Sequence, residues 1–139
     1  SLAQSLLTPT RIYVSSLLTA LDQPESGVKG LAHITGGGFY ENIPRILPPD
    51  VGADLDASRW PLPSVFSWIR QLGNIDFYEM TRTFNCGIGM VVVVSEGKVE
   101  GITKVLGDAG EIVHHIGEIT PRNHKDEIVA VHNLKLAWK

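Results

Sequence analysis

The sequence predicts an α+β domain with α/β-type layers, in which helices pack on a mixed β-sheet. Short apolar segments typical of strands alternate along the chain with segments of helical periodicity, an order that favours a sheet covered by helices. Of the 139 residues, 43% are hydrophobic and 19% are charged, which is the balance of a folded domain with its own core. The net charge of −3 provides no broad basic surface, so neither nucleic acid nor a membrane is expected as a partner.

The first half of the chain contains two helix and two strand candidates. Thr8 suits an N-cap and the proline after it suits the first helical position, so a helix is predicted over residues 9–21. Residues 30–34 are a short apolar strand candidate, and residues 39–47 form a helix or a single turn that a proline interrupts. In residues 51–56 apolar and polar side chains alternate, which predicts a half-buried strand.

The second half begins with two further helix candidates. Residues 62–72 carry apolar side chains on one helical face, and Asp76 is placed to cap a short helix that ends near Arg82. Residues 86–95 are rich in valine, which predicts a strand buried on both faces, and residues 99–107 return to helical spacing. Two strand candidates complete the order, at residues 112–119 and 128–131.

The chain is interpreted as a single domain, residues 1–139, in which residues 122–139 form a tail or a linker. It begins at a serine and enters an element at once, which suggests a domain cut from a longer protein. No apolar run reaches the length of a membrane span, and no signal peptide is recognisable. The single cysteine, Cys86, permits no intramolecular disulfide and fits a reducing, cytoplasmic compartment.

Three consecutive glycines, Gly36, Gly37 and Gly38, follow a strand candidate and precede a helical segment. Glycine permits positive φ angles and the close approach of a ligand, and amides at the start of a helix attract anions. The loop is therefore either a tight structural turn or a phosphate cradle, although it lacks the spacing of dinucleotide and P-loop motifs. Thr35 and Asn42 flank it together with a histidine, and these three hydrogen-bonding side chains favour a binding role.

Other candidate site residues have both a functional and a structural interpretation. His33 is a general acid or base, a donor to a phosphoryl oxygen, or a hydrogen-bonded histidine at the end of a strand. Arg11 is either a phosphate ligand or a solvated arginine. Arg82 and Asn85 either point into a cleft or cap the neighbouring elements.

The remaining reactive side chains favour structural roles. Cys86 opens an apolar strand candidate with no histidine near it in sequence, so a small buried hydrophobe is predicted rather than a nucleophile. His114 and His115, as neighbours on a predicted strand, would point to opposite faces and would not easily share one metal ion. Because no zinc-ligand spacing is present, no metal site built by the chain itself is predicted.

Four ordered segments of the chain carry a family resemblance. They are residues 7–13 (LTPTRIY), 32–39 (AHITGGGF), 41–45 (ENIPR) and 79–90 (EMTRTFNCGIGM). Together they resemble the C-terminal domain of aminoimidazole ribonucleotide (AIR) synthetase, or phosphoribosylformylglycinamidine cyclo-ligase, over about residues 6–119. Four blocks in order make the resemblance specific, which the triple glycine alone would not.

The resemblance implies a reaction and a partner. In this family formylglycinamidine ribonucleotide and ATP give AIR, ADP and phosphate in purine biosynthesis, and Mg²⁺ is required. The resemblance also implies a homodimer of two-domain subunits, whose N-terminal domain supplies the dimer core and most of the ATP site. That domain is absent from this sequence, so the isolated chain is expected to be inactive.

The resemblance further implies roles for individual residues, which fit phosphoryl transfer because that chemistry depends on positioned hydrogen-bond donors and excluded water. His33 would lie at the reacting centre as the catalytic residue. Phosphate or substrate would contact Thr35, Gly36, Gly37, Gly38 and Asn42. The cleft between the two domains would be lined by Arg11, Arg82 and Asn85.

Two alternatives remain open at the level of sequence. One is a sister enzyme of the same superfamily, such as selenophosphate synthetase, a hydrogenase maturation factor, thiamine-monophosphate kinase or formylglycinamidine synthetase; the four-block match argues against these. The other is a non-catalytic module that only docks to another domain, for which an exposed apolar face would be the expected sign.

Overall fold

The computed structural model describes residues 2–122 and 127–138. Its helices are α1 (Leu2–Leu7), α2 (Val14–Leu21), α3 (Gly38–Asn42), α4 (Ser64–Gly73), α5 (Phe77–Thr83), α6 (Val99–Asp108) and α7 (Leu134–Ala137). Its strands are β1 (Val28–His33), β2 (Val51–Asp56), β3 (Met90–Val94), β4 (Gly117–Pro121) and β5 (Val129–His132). Short 3-10 turns lie at Ile43–Ile46, Ala57–Arg59 and Glu96–Lys98.

Within the described residues, the strands form two separate sheets. β1 and β3 pair antiparallel, with His33 opposite Met90. β2 lies at the centre of the second sheet, where it is antiparallel to β4 and parallel to β5. The predicted α+β class is confirmed, and the predicted mixed sheet corresponds to β4–β2–β5. The other two strands form the antiparallel pair instead of extending that sheet.

The helix predicted over residues 9–21 is wrong in its first third. The Thr8 hydroxyl donates to the Gln4 carbonyl at 2.6 Å, so this threonine closes α1 instead of capping a new helix. Pro9 has no amide to continue the ladder of α1. The chain stays non-helical until Val14, and the helix that begins there packs against α6 through Leu17 and Ala20.

Two predicted strands begin later than the apolar pattern suggests. Residues 86–95 were predicted to be strand throughout, but β3 starts at Met90 because Cys86 and Gly87 have φ angles of 46° and 100°. These left-handed conformations form a turn and do not belong to a strand. Residues 111–116 are likewise irregular, and β4 starts at Gly117.

The valines of β3 are half-buried, so the prediction that both faces of this strand are buried is wrong. One side of β3 faces a cavity of about 670 Å³ whose walls come from β3, α2, α6, β2 and residues 111–119. The main core lies under α3 and α5 and shares Ile43 and Leu55 with the wall of this cavity. Its most deeply buried side chains are Phe39, Ile43, Met80, Thr81 and Cys86.

Residues 127–138 of the segment predicted to be a tail or a linker contribute to the fold, while residues 123–126 and 139 lie outside the described residues. Residues 129–132 form β5 beside β2, and α7 follows directly. Trp138 is only 3% exposed and belongs to the main core. The reason is long-range packing of Trp138 against Trp60, which no local pattern in residues 122–139 indicates.

Candidate functional site

The glycine loop, residues 35–38, joins β1 to α3 in a tight turn. The Gly38 amide donates to the Thr35 carbonyl at 3.0 Å, and Gly37 and Gly38 have φ angles of 92° and 55°. A side chain at Gly38 would overlap with the Thr81 carbonyl oxygen of α5, so glycine is required there by packing as well as by conformation. At Gly36, by contrast, nothing lies within 4 Å of the position of a Cβ. The backbone at Gly36 is therefore open to a ligand.

Asn42 holds the glycine loop from beneath. Its side chain is buried at 4% exposure. The amide nitrogen lies 2.8 Å from the Gly38 carbonyl, 3.2 Å from that of Gly36 and 3.3 Å from that of Thr35. Its carbonyl oxygen accepts from Arg45 at 3.2 Å. These bonds use the side chain inside the protein, so the structure places Asn42 as a support of the loop and not on its open side.

A second turn, residues 85–89, lies beside the glycine loop. The Asn85 side-chain oxygen accepts from the Gly87 amide at 3.1 Å, which closes the turn at the left-handed pair Cys86 and Gly87. The Ile34 amide donates to the Gly89 carbonyl at 2.9 Å. This bond ties the end of β1 to the second turn and sets the two glycine-containing turns next to each other.

His33 and Tyr13 lie together at this junction. The imidazole is exposed at the end of β1, and the Tyr13 ring meets it nearly edge-on, with centroids 6.1 Å apart and an interplanar angle of 68°. The Tyr13 hydroxyl occupies the space that a side chain at Gly89 would need. Sequence reasoning did not select Tyr13 as a site residue, although the signal was available in the LTPTRIY segment.

Arg11 is engaged in an ion pair at the edge of the large cavity. Its Nε lies 2.7 Å from Glu111 Oε2, and its Nη2 donates to the Gly110 carbonyl at 3.0 Å. The Ser16 hydroxyl donates to the other oxygen of Glu111 at 2.7 Å. A phosphate group would have to compete with a carboxylate for this guanidinium. The structure thus gives Arg11 a role in joining the start of α2 to the loop after α6.

Arg82 lies on α5 next to two carboxylates. It pairs with Glu79 at 3.1 Å, and the hydrogen bond and charge of Glu79, followed by the charge of Glu41, raise the pKa of Arg82. Glu41 itself reaches back over the glycine loop, since a Cβ at Gly37 would fall 2.6 Å from its Oε2 atom. An anion at Gly37 would meet a negative charge there. The open Gly36 side is the more favourable face for an anion.

Comparison with known proteins identifies the family of the chain. The family model described as AIR synthase related protein, C-terminal domain, matches residues 1–130. The chain belongs to this family. The family resemblance stated from the four sequence segments is therefore confirmed.

Two curated relatives of this AIR synthase related domain are named after an enzymatic activity. They come from Bordetella pertussis (strain Tohama I) and Bordetella parapertussis (strain 12822), and both are named phosphoribosylformylglycinamidine cyclo-ligase. Each is 48% identical to the chain over 121 residues, which is 87% of the chain and 35% of the relative. The chain thus spans about a third of the length of these relatives.

Cys86 of this AIR synthase related domain is fully buried. Its thiol donates to the Met80 carbonyl at 3.4 Å, and burial raises the pKa of the thiol to about 12. The thiolate needed for nucleophilic attack is therefore scarce at neutral pH. The prediction that Cys86 is a small buried hydrophobe is confirmed.

The described part of the domain has neither a metal-ligand cluster nor a membrane-spanning helix. Residues 2–122 and 127–138 contain no group of three or more histidine, cysteine, aspartate or glutamate side chains that could hold a metal ion. His114 and His115 lie in the irregular segment before β4, so the prediction that they alternate across a strand is wrong. No helix in these ranges is long and apolar enough to cross a membrane.

Proposed function

We propose that this chain forms the C-terminal side of the active-site cleft of an ATP-dependent phosphoribosylformylglycinamidine cyclo-ligase. The reaction converts formylglycinamidine ribonucleotide to AIR in de novo purine biosynthesis. Family membership and the names of the two Bordetella relatives support the proposal. The observation that carries it is the juxtaposition of the two glycine-containing turns through the Ile34–Gly89 hydrogen bond, with His33 exposed at their junction.

The arrangement suits phosphoryl transfer followed by ring closure, because both steps depend on positioned donors. His33 is proposed as the catalytic residue, exposed where it can hold or accept a proton at a reacting nitrogen or oxygen. Thr35 and the open backbone at Gly36 are proposed to contact a phosphate or the substrate. Arg82, exposed on α5, contributes positive charge, while Asn85 shapes the second turn.

ATP supplies the transferred phosphoryl group when it is bound. Thr35 and Gly36 are exposed residues of the loop, and their backbone is proposed to contact phosphate oxygens, as in other glycine-rich anion sites. For Mg²⁺ the described residues offer no cluster of three suitable ligands. Mg²⁺ prefers carboxylates together with nucleotide phosphates and water. The protein ligands of the ion are therefore assigned to the part of the enzyme outside this chain.

An N-terminal domain of the same enzyme is the proposed partner, within a homodimer located in the cytoplasm. About two-thirds of the length of each relative lies outside the matched region. Several large apolar side chains at the start of the chain and in the loop before β4 are strongly exposed, as expected of a surface covered by another domain. They are Leu7 (79% exposed), Ile12 (84%), Val14 (61%) and Ile112 (88%).

A domain replacement tests the proposed function. In the Bordetella pertussis relative, the matching part is exchanged for this chain, and AIR and ADP formation from formylglycinamidine ribonucleotide and ATP is measured. We expect ATP-dependent turnover by the chimera and none by the isolated 139-residue chain. A folded chimera that binds ATP but forms no AIR, beside an active parent enzyme, would contradict the proposal. Turnover by the isolated chain would contradict the shared-cleft assignment.

A further inference from the structure

The C-terminal segment, residues 133–138, packs against the core beyond the part of the chain that defines the family. The family match ends at residue 130, whereas Trp138 lies 3% exposed with its ring centroid 5.4 Å from that of Trp60, at an interplanar angle of 74°. Its indole nitrogen is buried, and within the described residues it has no hydrogen-bond partner. Trp138 is therefore held by packing and not by a polar anchor of its side chain.

Trp60 connects this packing to both turns of the candidate site. Its indole nitrogen donates to the carbonyl of Cys86, a residue of the second turn, at 3.1 Å. Its ring also meets Phe39, the second residue of α3, with centroids 5.7 Å apart and an interplanar angle of 71°. Movement of Trp60 would therefore disturb the packing at the start of α3 and the hydrogen bond to residues 85–89 at the same time.

The second turn needs such support. Cys86 is a non-glycine residue in the left-handed region, with φ of 46°. Residues in this conformation are strained and persist only when the surrounding structure holds them. The Trp60 hydrogen bond restrains the Cys86 carbonyl directly. Gly87 packs tightly on the segment after Trp60, since a Cβ there would fall 2.8 Å from Pro63 Cδ.

The segment is also fixed at its start. Asn133 has a φ of 62° and donates from its side chain to Asp56 at 3.0 Å. The Trp138 amide closes α7 by donating to the Leu134 carbonyl at 3.1 Å. One short helix thus carries the chain from an anchor on β2 to the indole packed on Trp60.

We propose that residues 133–138 act as a latch, in which Trp138 holds Trp60 against the Cys86 carbonyl and so positions residues 85–89. Trp60 and Trp138 are positioning residues of the site, and neither is assigned a contact with substrate. The value of this latch for catalysis rests on the proposed function. The coupling between Trp138 and residues 85–89 does not depend on the proposed function, and it can be tested without a substrate.

The thiol of Cys86 reports on the latch, because it is the single cysteine of the chain and is fully buried. Its labelling by an aromatic disulfide reagent is followed at pH 8 across urea concentrations below the unfolding transition. Local opening exposes little surface and depends weakly on urea, whereas labelling through global unfolding depends steeply on it. The slope therefore separates a loosened turn from a destabilised protein.

For Trp138→Ala we expect labelling at least about tenfold faster than in the unaltered chain and nearly independent of urea, since losing a buried indole is a large packing loss. Trp138→Phe keeps a ring against Trp60 and should restore slow labelling. Leu136→Ala, at a residue of α7 that is 71% exposed, should stay within about twofold of the unaltered chain.

Unchanged labelling of Trp138→Ala, or faster labelling with the steep urea slope of global unfolding, would overturn the latch. If the alanine variant does not fold, Trp138→Leu is held to the same two criteria. These results are independent of the chimera assay. A failed latch leaves AIR formation by the chimera untouched, and an inactive chimera leaves the Cys86 labelling rates as they are.

Discussion

Tyr13 lies edge-on to His33, with 6.1 Å between the two ring centroids. Burial, and then the charge of Glu111, raises the pKa of Tyr13 above its ordinary value of 10.0. The phenol is therefore protonated and able to donate a hydrogen bond at neutral pH. Because its hydroxyl also lies against Gly89, this one side chain connects the start of α2 with His33 and with the second turn of the candidate site.

Replacing His33 in the Bordetella chimera should remove most of its turnover. We expect His33→Ala to lower kcat/KM by about a hundredfold or more, the usual contribution of a positioned acid or base. Tyr13→Phe keeps the ring edge and loses only the hydroxyl, so its loss should be under about tenfold, as for one hydrogen bond.

His132→Ala is the matched control for the His33 variant. This histidine is also exposed, but it lies on β5 beside Asp54, at 3.4 Å, and it is not part of the proposed site. Its kcat/KM should stay within about threefold of the unaltered chimera. Full activity of His33→Ala would remove His33 from the reacting centre, and equal losses in both variants would indicate a general effect on folding.

Replacement by alanine should destabilise the fold at Gly38 but not at Gly36, although the two glycines are only two positions apart. At Gly38 a Cβ overlaps with the Thr81 carbonyl, and the φ angle of 55° is unfavourable for alanine. Gly38→Ala should therefore lower the free energy of unfolding by at least ~2 kcal/mol. Gly36→Ala meets open space and should change it by under ~0.5 kcal/mol.

Urea unfolding of the isolated chain measures both glycine variants. The activity of the Gly36→Ala chimera is measured as well, because the added methyl group would lie where a ligand is proposed to approach the backbone. A stable but less active Gly36→Ala chimera is the expected outcome. If Gly38→Ala were as stable as the unaltered chain, the close packing of the glycine loop on α5 would be refuted.

The parts of the fold that the sequence predicted well are those that depend on neighbouring residues. Asp76 accepts a hydrogen bond from the Glu79 amide at 3.0 Å, as its position before a helical segment indicates. The apolar spacing in residues 99–107 likewise corresponds to α6. Such signals act within one or two helical turns, so a sequence pattern contains them almost completely.

The parts that the sequence did not predict are contacts between distant residues. Arg11 and Glu111 pair across 100 positions, and Trp60, in the first half of the chain, meets Trp138 near its end. Nothing near Arg11 in the sequence distinguishes a phosphate ligand from a partner of Glu111. The structure places His33 and the glycine loop, both from the family segments, next to residues 85–89. The separate contacts of Asn42, Tyr13 and Glu41 came only from the packing.

The hydrogen bonds at Asp56 should make stability depend on pH in the acid range. The Asn133 side chain, and then Ser58, lower the pKa of Asp56 from 3.8 to about 2. A carboxylate with a lowered pKa stabilises the folded state above its unfolded pKa, and the contribution is lost as pH falls from about 3.8 towards 2. The stability difference between the unaltered chain and Asp56→Asn should shrink over that window.

Urea unfolding at a series of pH values measures this difference, and carbon NMR follows the Asp56 carboxyl directly. Asn133→Ala removes the largest cause of the shift, so the pKa of Asp56 should move back towards 3.8. Asp50→Asn, at an exposed residue before β2, is the control for losing one carboxylate. A stability difference for Asp56→Asn that stays constant through the window would contradict the role of this hydrogen-bonded carboxylate.

Glu41 should weaken the binding of anions at the glycine loop, because its carboxylate reaches back over Gly37. Neutralising one charge about 4 Å from a bound phosphate removes roughly 1 kcal/mol of repulsion where water screens the pair fully, or about fivefold in affinity. Glu41→Gln should therefore bind inorganic phosphate about fivefold more tightly. The shifts of the Gly36 and Gly37 amide signals during a phosphate titration measure the affinity.

Glu100→Gln is the control for the Glu41 variant, since it removes an equal charge from an exposed position on α6. It should leave the phosphate affinity within about twofold of the unaltered chain, because screening weakens exposed charges beyond about 8–10 Å. Weaker phosphate binding by Glu41→Gln would mean that the carboxylate holds the loop in its binding shape. Equal gains in both variants would point to net charge, and a gain confined to Glu41→Gln places the anion at the loop itself.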